Sequence, residues 1–169
     1  LGYLGTPAYA ERILTGSSLA ATIEARLPDV ILSQGENQEA ASALTIASEH
    51  IGDVGEFLRD QSPARYDLLI ALTEAAGCMH YQLVSTSRSH RLLLCVPVPT
   101  PERAVDSVAF VWPAADWAER GAHDLWRVGF RGHPNLRPLL LGADLGQVSE
   151  AGAVDRSSLE VGLRFPTSI

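Results

Sequence analysis

Between Trp117 and Leu141 the chain reads WAERGAHDLWRVGFRGHPNLRPLLL. Glu119 with His123, or Asp124 with a nearby histidine, has the makings of a general acid–base pair. His123, His133 and Asp124 together offer nitrogen and oxygen donors to a cation. Two facts weigh against both chemistries. The segment holds no Ser or Cys for such a base to activate, and the spacing of its histidines matches no common zinc pattern. A stand-alone small-molecule enzyme built on Glu119, His123, Asp124 and His133 stays open as one reading. The favoured reading is a packed or docking segment without catalytic residues. Trp and Arg are enriched at binding hot spots, and Trp117, Trp126, Arg120, Arg127, Arg131 and Arg137 all fall here. Four arginines against two carboxylates give this stretch a net charge of +2, while the whole chain carries −7. A locally basic segment in an acidic chain suits an acidic partner surface.

The rest of the composition removes other classes. At 169 residues, 46% hydrophobic and 20% charged, the chain is long and apolar enough for one core. Its acidity argues against a dedicated nucleic-acid binder. All 13 basic residues are Arg, which excludes a phosphate-loop lysine, a Schiff-base lysine and a lysine general base. No G-x-G-x-x-G occurs, so a Rossmann-type nucleotide site is not expected. No apolar run approaches the roughly 20 residues of a membrane span. The opening LGYLGTPAYAERIL does not read as a signal peptide. Cys78 and Cys95 form no C-x-x-C pair and are too few for an iron–sulfur cluster or a four-thiolate zinc. Both are expected to be reduced. No cofactor and no metal are therefore expected.

The elements that must position the dense segment are legible in outline. Leu19, Ile23 and Leu27 recur every four residues, which predicts a helix over 17–27 that Pro28 stops. Strands are predicted at 29–34 and 42–48 around a GENQ turn. Ile51, Val54 and Leu58 form the stripe of a second helix over 50–61, which Gly52 and Gly55 weaken by about 1 kcal/mol each. A strand over 66–73 follows. GCMHYQLV and RLLLCVPV flank the polar STSRSH in a hairpin pattern. Pro113 suits the first turn of a helix over 114–126, on which Arg120 and Asp124 stand one turn apart and can pair. Gly132, His133 and Pro134 make a rigid turn, from which His133 can bond back to Asp124 or to a helix end. Segregated helices and a hairpin-rich sheet predict an α+β fold in two layers. Two main helices pack on one face of a mixed sheet of about five strands, followed by the helix–turn segment and an irregular C-terminal tail. Residues 1–16 read as an N-terminal arm, 17–141 as the domain, and 142–169 as a tail with one strand at 159–165.

The dense segment resembles the signature of the thirty-kilodalton (C) subunit of proton-pumping NADH:quinone oxidoreductase (complex I). The related domain of energy-converting hydrogenases and formate hydrogenlyase carries it too. That signature runs W-x-E-R-E-x-Y-D-L-F-G-I-x-F-x-G-H-P-x-L-R-R-x-L-L. Trp117, Glu119, Arg120, Asp124, Leu125, Phe130, Gly132, His133, Pro134, Leu136, Arg137, Leu140 and Leu141 match it. The chain departs at Gly121, His123, Trp126, Arg127 and Pro138, where the pattern has Glu, Tyr, Phe, Gly and Arg. The lead-in DSVAFVWPAADW resembles the family's strand and Pro-Ala helix start. The resemblance implies a cofactor-free structural subunit of a respiratory complex's peripheral arm, on the cytoplasmic side of a bacterial membrane. Its partners would be other subunits of that arm, chiefly the large quinone-module subunit, with the signature as the docking and folding element. The equivalent hydrogenase subunit is the alternative.

Overall fold

The computed structural model describes residues 16–35 and 42–140. The predicted tail with its strand at 159–165, and all but the last residue of the predicted arm, lie outside the described residues.

Helix α1 (Gly16–Glu24) leads into strands β1 (Ile31–Gly35) and β2 (Ser42–Ile46), and a 3₁₀ turn then opens helix α2 (Ile51–Glu56). The helix widens over Phe57–Gln61, where the Ser62 N–H donates to the Phe57 carbonyl at 2.8 Å. Strands β3 (Leu68–Ala75), β4 (Cys78–Ser85), β5 (His90–Pro97) and β6 (Ala104–Asp106) precede helix α3 (Ala114–Trp126) and strand β7 (Gly129–Arg131). The main sheet runs β1-β2-β5-β4-β3, with β2 and β5 parallel and the other pairs antiparallel. This is the predicted mixed sheet in an α+β fold.

Period-two patterning builds the two layers. Met79, Tyr81, Leu83 and Ser85 of β4 are buried, while Cys78, His80, Gln82 and Val84 on its other face are half-buried. The inward strand residues, with Leu44, Ile46, Leu92, Leu94 and Val96, share one core with Leu19 and Ile23 of α1, Ile51 and Val54 of α2, and Ala115 and Ala122 of α3. All three helices therefore lie on one face. Both edge strands carry a bulge, at Leu32 in β1 and Ile70 in β3. Each bulged residue is exposed, and bulges of this kind disfavour edge-to-edge pairing with another chain.

Several boundaries differ from expectation. The strand expected at 66–73 starts at Leu68, because Tyr66 is held by other partners: its carbonyl accepts from Trp112 Nε1 at 2.8 Å and its hydroxyl meets His90 Nδ1 at 2.8 Å. The lead-in to α3, expected as a strand, is a turn, with the Val111 and Trp112 N–H groups both donating to the Val108 carbonyl at 2.9 Å. Val108, Val111 and Trp112 are all buried, which needs turn spacing and not alternation. The two glycines of α2 have a packing reason. A Cβ on Gly55 would meet the Trp112 ring at 3.3 Å, and one on Gly52 would meet Phe110 at 3.4 Å.

Candidate functional site

Helix α3 starts at Pro113 and ends where Arg127 turns left-handed at φ 56°, its N–H donating to the His123 carbonyl at 3.0 Å. Glycine is the usual residue at such a C-terminal turn, so arginine here departs from the resembled pattern at a backbone position that favours glycine. The short parallel pair β6–β7 then brings 104–106 beside 129–131 and folds the GHPNL turn back over the helix.

The inner side of α3 carries Glu119, whose side chain is 0% exposed. Its Oε2 accepts from Ser107 Oγ at 2.6 Å and its Oε1 from the Val108 N–H at 2.7 Å. The helix is thereby pinned to the turn that precedes it. Burial raises the Glu119 carboxyl to about 7; the two hydrogen bonds oppose that rise and the nearby Asp116 charge adds to it. Tyr81 lies fully buried on β4, and burial, with the charges of Glu119 and Asp106, pushes its hydroxyl well above the ordinary phenol range. That hydroxyl has no hydrogen-bond partner among the described residues.

His133 has a side chain 0% exposed. The Asn135 N–H donates to its Nδ1 at 3.0 Å, which fixes the proton on Nε2. Nε2 faces the Asp116 carbonyl at 3.1 Å, Asp116 Oδ1 at 3.3 Å and Glu119 Oε2 at 3.8 Å. Of the two bonding partners expected for His133, the structure selects the helix end, in the first turn of α3, and not Asp124. Asp124 Oδ2 instead accepts from the Leu139 and Leu140 N–H groups, both at 2.7 Å. Arg120 points at the same segment, Nε to the Arg137 carbonyl at 3.0 Å and Nη2 to that of Pro138 at 3.3 Å.

The remaining candidates divide by burial. Phe130 is buried, Leu136 packs against the core, and Leu125 is half-buried. Gly132 adopts φ 77° and, like Pro134, is exposed. His123 Nδ1 donates to the Val128 carbonyl at 2.9 Å. The structure thus gathers Asp116, Glu119 and His133, and sends His123 and Asp124 to separate backbone partners. Among the described residues no group of three or more His, Cys, Asp or Glu side chains is arranged to hold a metal ion. Asp116, Ser107 and Val108 were not foreseen from sequence, because their bonds cross 11 to 17 positions with no local pattern to mark them.

Each of these buried polar groups closes a loop onto α3, in a two-layer α+β domain whose signature segment is wrapped by its own backbone. The match to the family described as "Respiratory-chain NADH dehydrogenase, 30 Kd subunit" spans residues 44–150, and the chain belongs to that family. It is 35% identical over 136 residues to the C subunit of NADH-quinone oxidoreductase from Hyphomonas neptunium, covering 73% of this chain and 64% of that one. The chain thus spans just under two thirds of that relative's length. It is 34% identical over 112 residues to the C/D subunit of NADH-quinone oxidoreductase from Chromohalobacter salexigens, covering 58% of this chain and 19% of that one. The trypsin-resistant fragment (1-134) of Nqo5 shares the fold, with a TM-score of 0.56 at 20% identity over 69% of this chain and 97% of the fragment.

Proposed function

We propose that the chain is a structural subunit of a respiratory NADH:quinone oxidoreductase. In this reading it has no redox group of its own, sits in the peripheral arm on the cytoplasmic side of the membrane, and docks beside the large quinone-module subunit. The family match through the signature segment carries the reading. The names of the relatives favour this complex over a hydrogenase. The C/D relative supports the choice of neighbour: the portion like this chain is 19% of that protein, so a larger portion is joined to it in one polypeptide. Burial of Glu119, His133 and Asp124 fits a structural role, since no substrate reaches a side chain without exposed surface. None of the described helices is long and apolar enough to cross a membrane, which accords with a peripheral place.

The test is to tag the chain, isolate the membranes, solubilise them in mild detergent and purify on the tag. NADH-quinone oxidoreductase subunits are expected in fixed stoichiometry with it. Recovery of the chain without them, together with a turnover of the isolated chain that His133→Ala abolishes, overturns the reading.

A further inference from the structure

Trp117 is 65% exposed. Helical geometry explains why. At about 100° per residue, Trp117 stands opposite Ala115, Glu119 and Ala122, the buried side of α3. Its ring lies 5.8 Å from the Arg120 guanidinium, and Arg120 is itself tied to the Arg137 and Pro138 carbonyls. Leu140, 57% exposed, lies over Gly121, with its Cδ1 3.7 Å from where a Cβ would stand. An indole, a stacked guanidinium and a leucine therefore form a patch on a segment cross-braced by its own backbone bonds.

Most of the exposed charge near this patch is positive; the exception is Asp116, next to Trp117 in sequence, whose 40% exposed carboxylate faces His133 at 3.3 Å. Both carboxylates of the dense segment, Glu119 and Asp124, are buried and bonded inward. Arg131 is offset by Asp106 at 2.6 Å and Glu102 at 3.6 Å. Arg127 and Arg137 are exposed, and no carboxylate pairs with either among the described residues. In a chain of net charge −7, this is a local reversal.

We propose that the outer face of α3 is the anchor of the docking contact, with Trp117 entering an apolar pocket on an acidic protein surface whose carboxylates meet Arg127 and Arg137. The inference rests on the reading under Proposed function and divides the signature into residues that fold the chain and residues that dock it. A buried aromatic ringed by charge pairs is the usual make-up of a binding hot spot. Arg120 holds the ring ready, so little side-chain freedom is lost on binding.

The experiment uses the tagged full chain expressed in its own complex. Trp117→Ala is expected to lower incorporation about thirty-fold and leave the isolated chain's unfolding midpoint unchanged, since the ring is mostly in solvent. Arg137→Glu is expected to weaken incorporation most at low salt. A photoactivatable benzophenone residue in place of Trp117 is expected to crosslink to a protein segment rich in Asp and Glu. Wild-type incorporation of both Trp117→Ala and Arg137→Glu, or a crosslink to lipid or to a neutral or basic segment, overturns the proposal while the functional reading stands. Failure of the wild-type chain to assemble with oxidoreductase subunits overturns both.

Discussion

Replacing Glu119 by Gln tests the inner half of the signature through the pH dependence of folding. The carboxyl ordinarily titrates at 4.5, and burial in the folded protein raises it to about 7. Between those values the folded chain holds a proton that the unfolded chain has released. Stability from this group is therefore complete below the lower value, falls as pH rises through the window, and is level above it. Linkage puts the loss at up to about 3 kcal/mol, or roughly 6 to 12 °C in Tm for a chain of this size. Gln reproduces the protonated pattern: Oε1 accepts from the Val108 N–H, and the amide donates to Ser107 Oγ in place of the hydroxyl's donation. The variant should match wild type near about pH 5 and exceed it near about pH 8. Thermal unfolding of both proteins across that range reads the difference directly. If the two curves run parallel, or Gln is the less stable at high pH, then Glu119 sits ionised in the fold and the burial argument fails.

Single contacts set the remaining outcomes. Gly55→Ala places a methyl 3.3 Å from the Trp112 ring and should lower stability by about 1–3 kcal/mol, seen as a shifted urea midpoint; a gain would show that the helix–Trp contact is slack. Arg127→Gly relieves the left-handed residue at φ 56° and should raise stability by about 1 kcal/mol while weakening incorporation into the complex; no gain in the isolated chain would refute the strain. Cys78 faces Pro97 and Cys95 faces His80, so the thiols are diagonal and not opposed. Both should alkylate without reductant, Cys95 more slowly because burial raises its thiol; an unalkylated protein with the mass of a disulfide would refute the register.

Sequence patterning reached the long elements and missed the short ones. Helix α3, bounded by Pro113 and the end of its apolar stripe, appears at 114–126 as expected. The hairpin appears around the polar turn, with both strands reaching into it at Ser85 and His90. Its register is not marked in the sequence, and only pairing across the sheet sets it. The β6–β7 pair escaped because three residues each are too few to show a period. Gly52 and Gly55 read as weaknesses in α2 because the sequence does not reveal the aromatic rings they admit. Within the dense segment the residue types were visible, but not which side of the helix is covered. Asp124 occupies an outward helical position and is nonetheless buried, because 139–140 folds back over it.

That covering also bears on why the segment looks catalytic in sequence: the carboxylates that suggest chemistry are buried against their own loops. A carboxylate near a histidine promotes chemistry only when substrate can reach one of them. Here Glu119 and His133 face each other at 3.8 Å inside the protein; Glu119 accepts from Ser107 Oγ and the Val108 N–H, and His133 Nδ1 from the Asn135 N–H, which holds the flanking loops to α3. A buried polar group left without partners costs far more than its bond returns. Such a cluster therefore tolerates few alternative loop conformations, while Arg120 and Asp124 hold residues 137–140 against α3. The residues that resemble an active site shape the segment, and on the docking proposal the exposed Trp117, Arg127 and Arg137 are the ones left to make the contact.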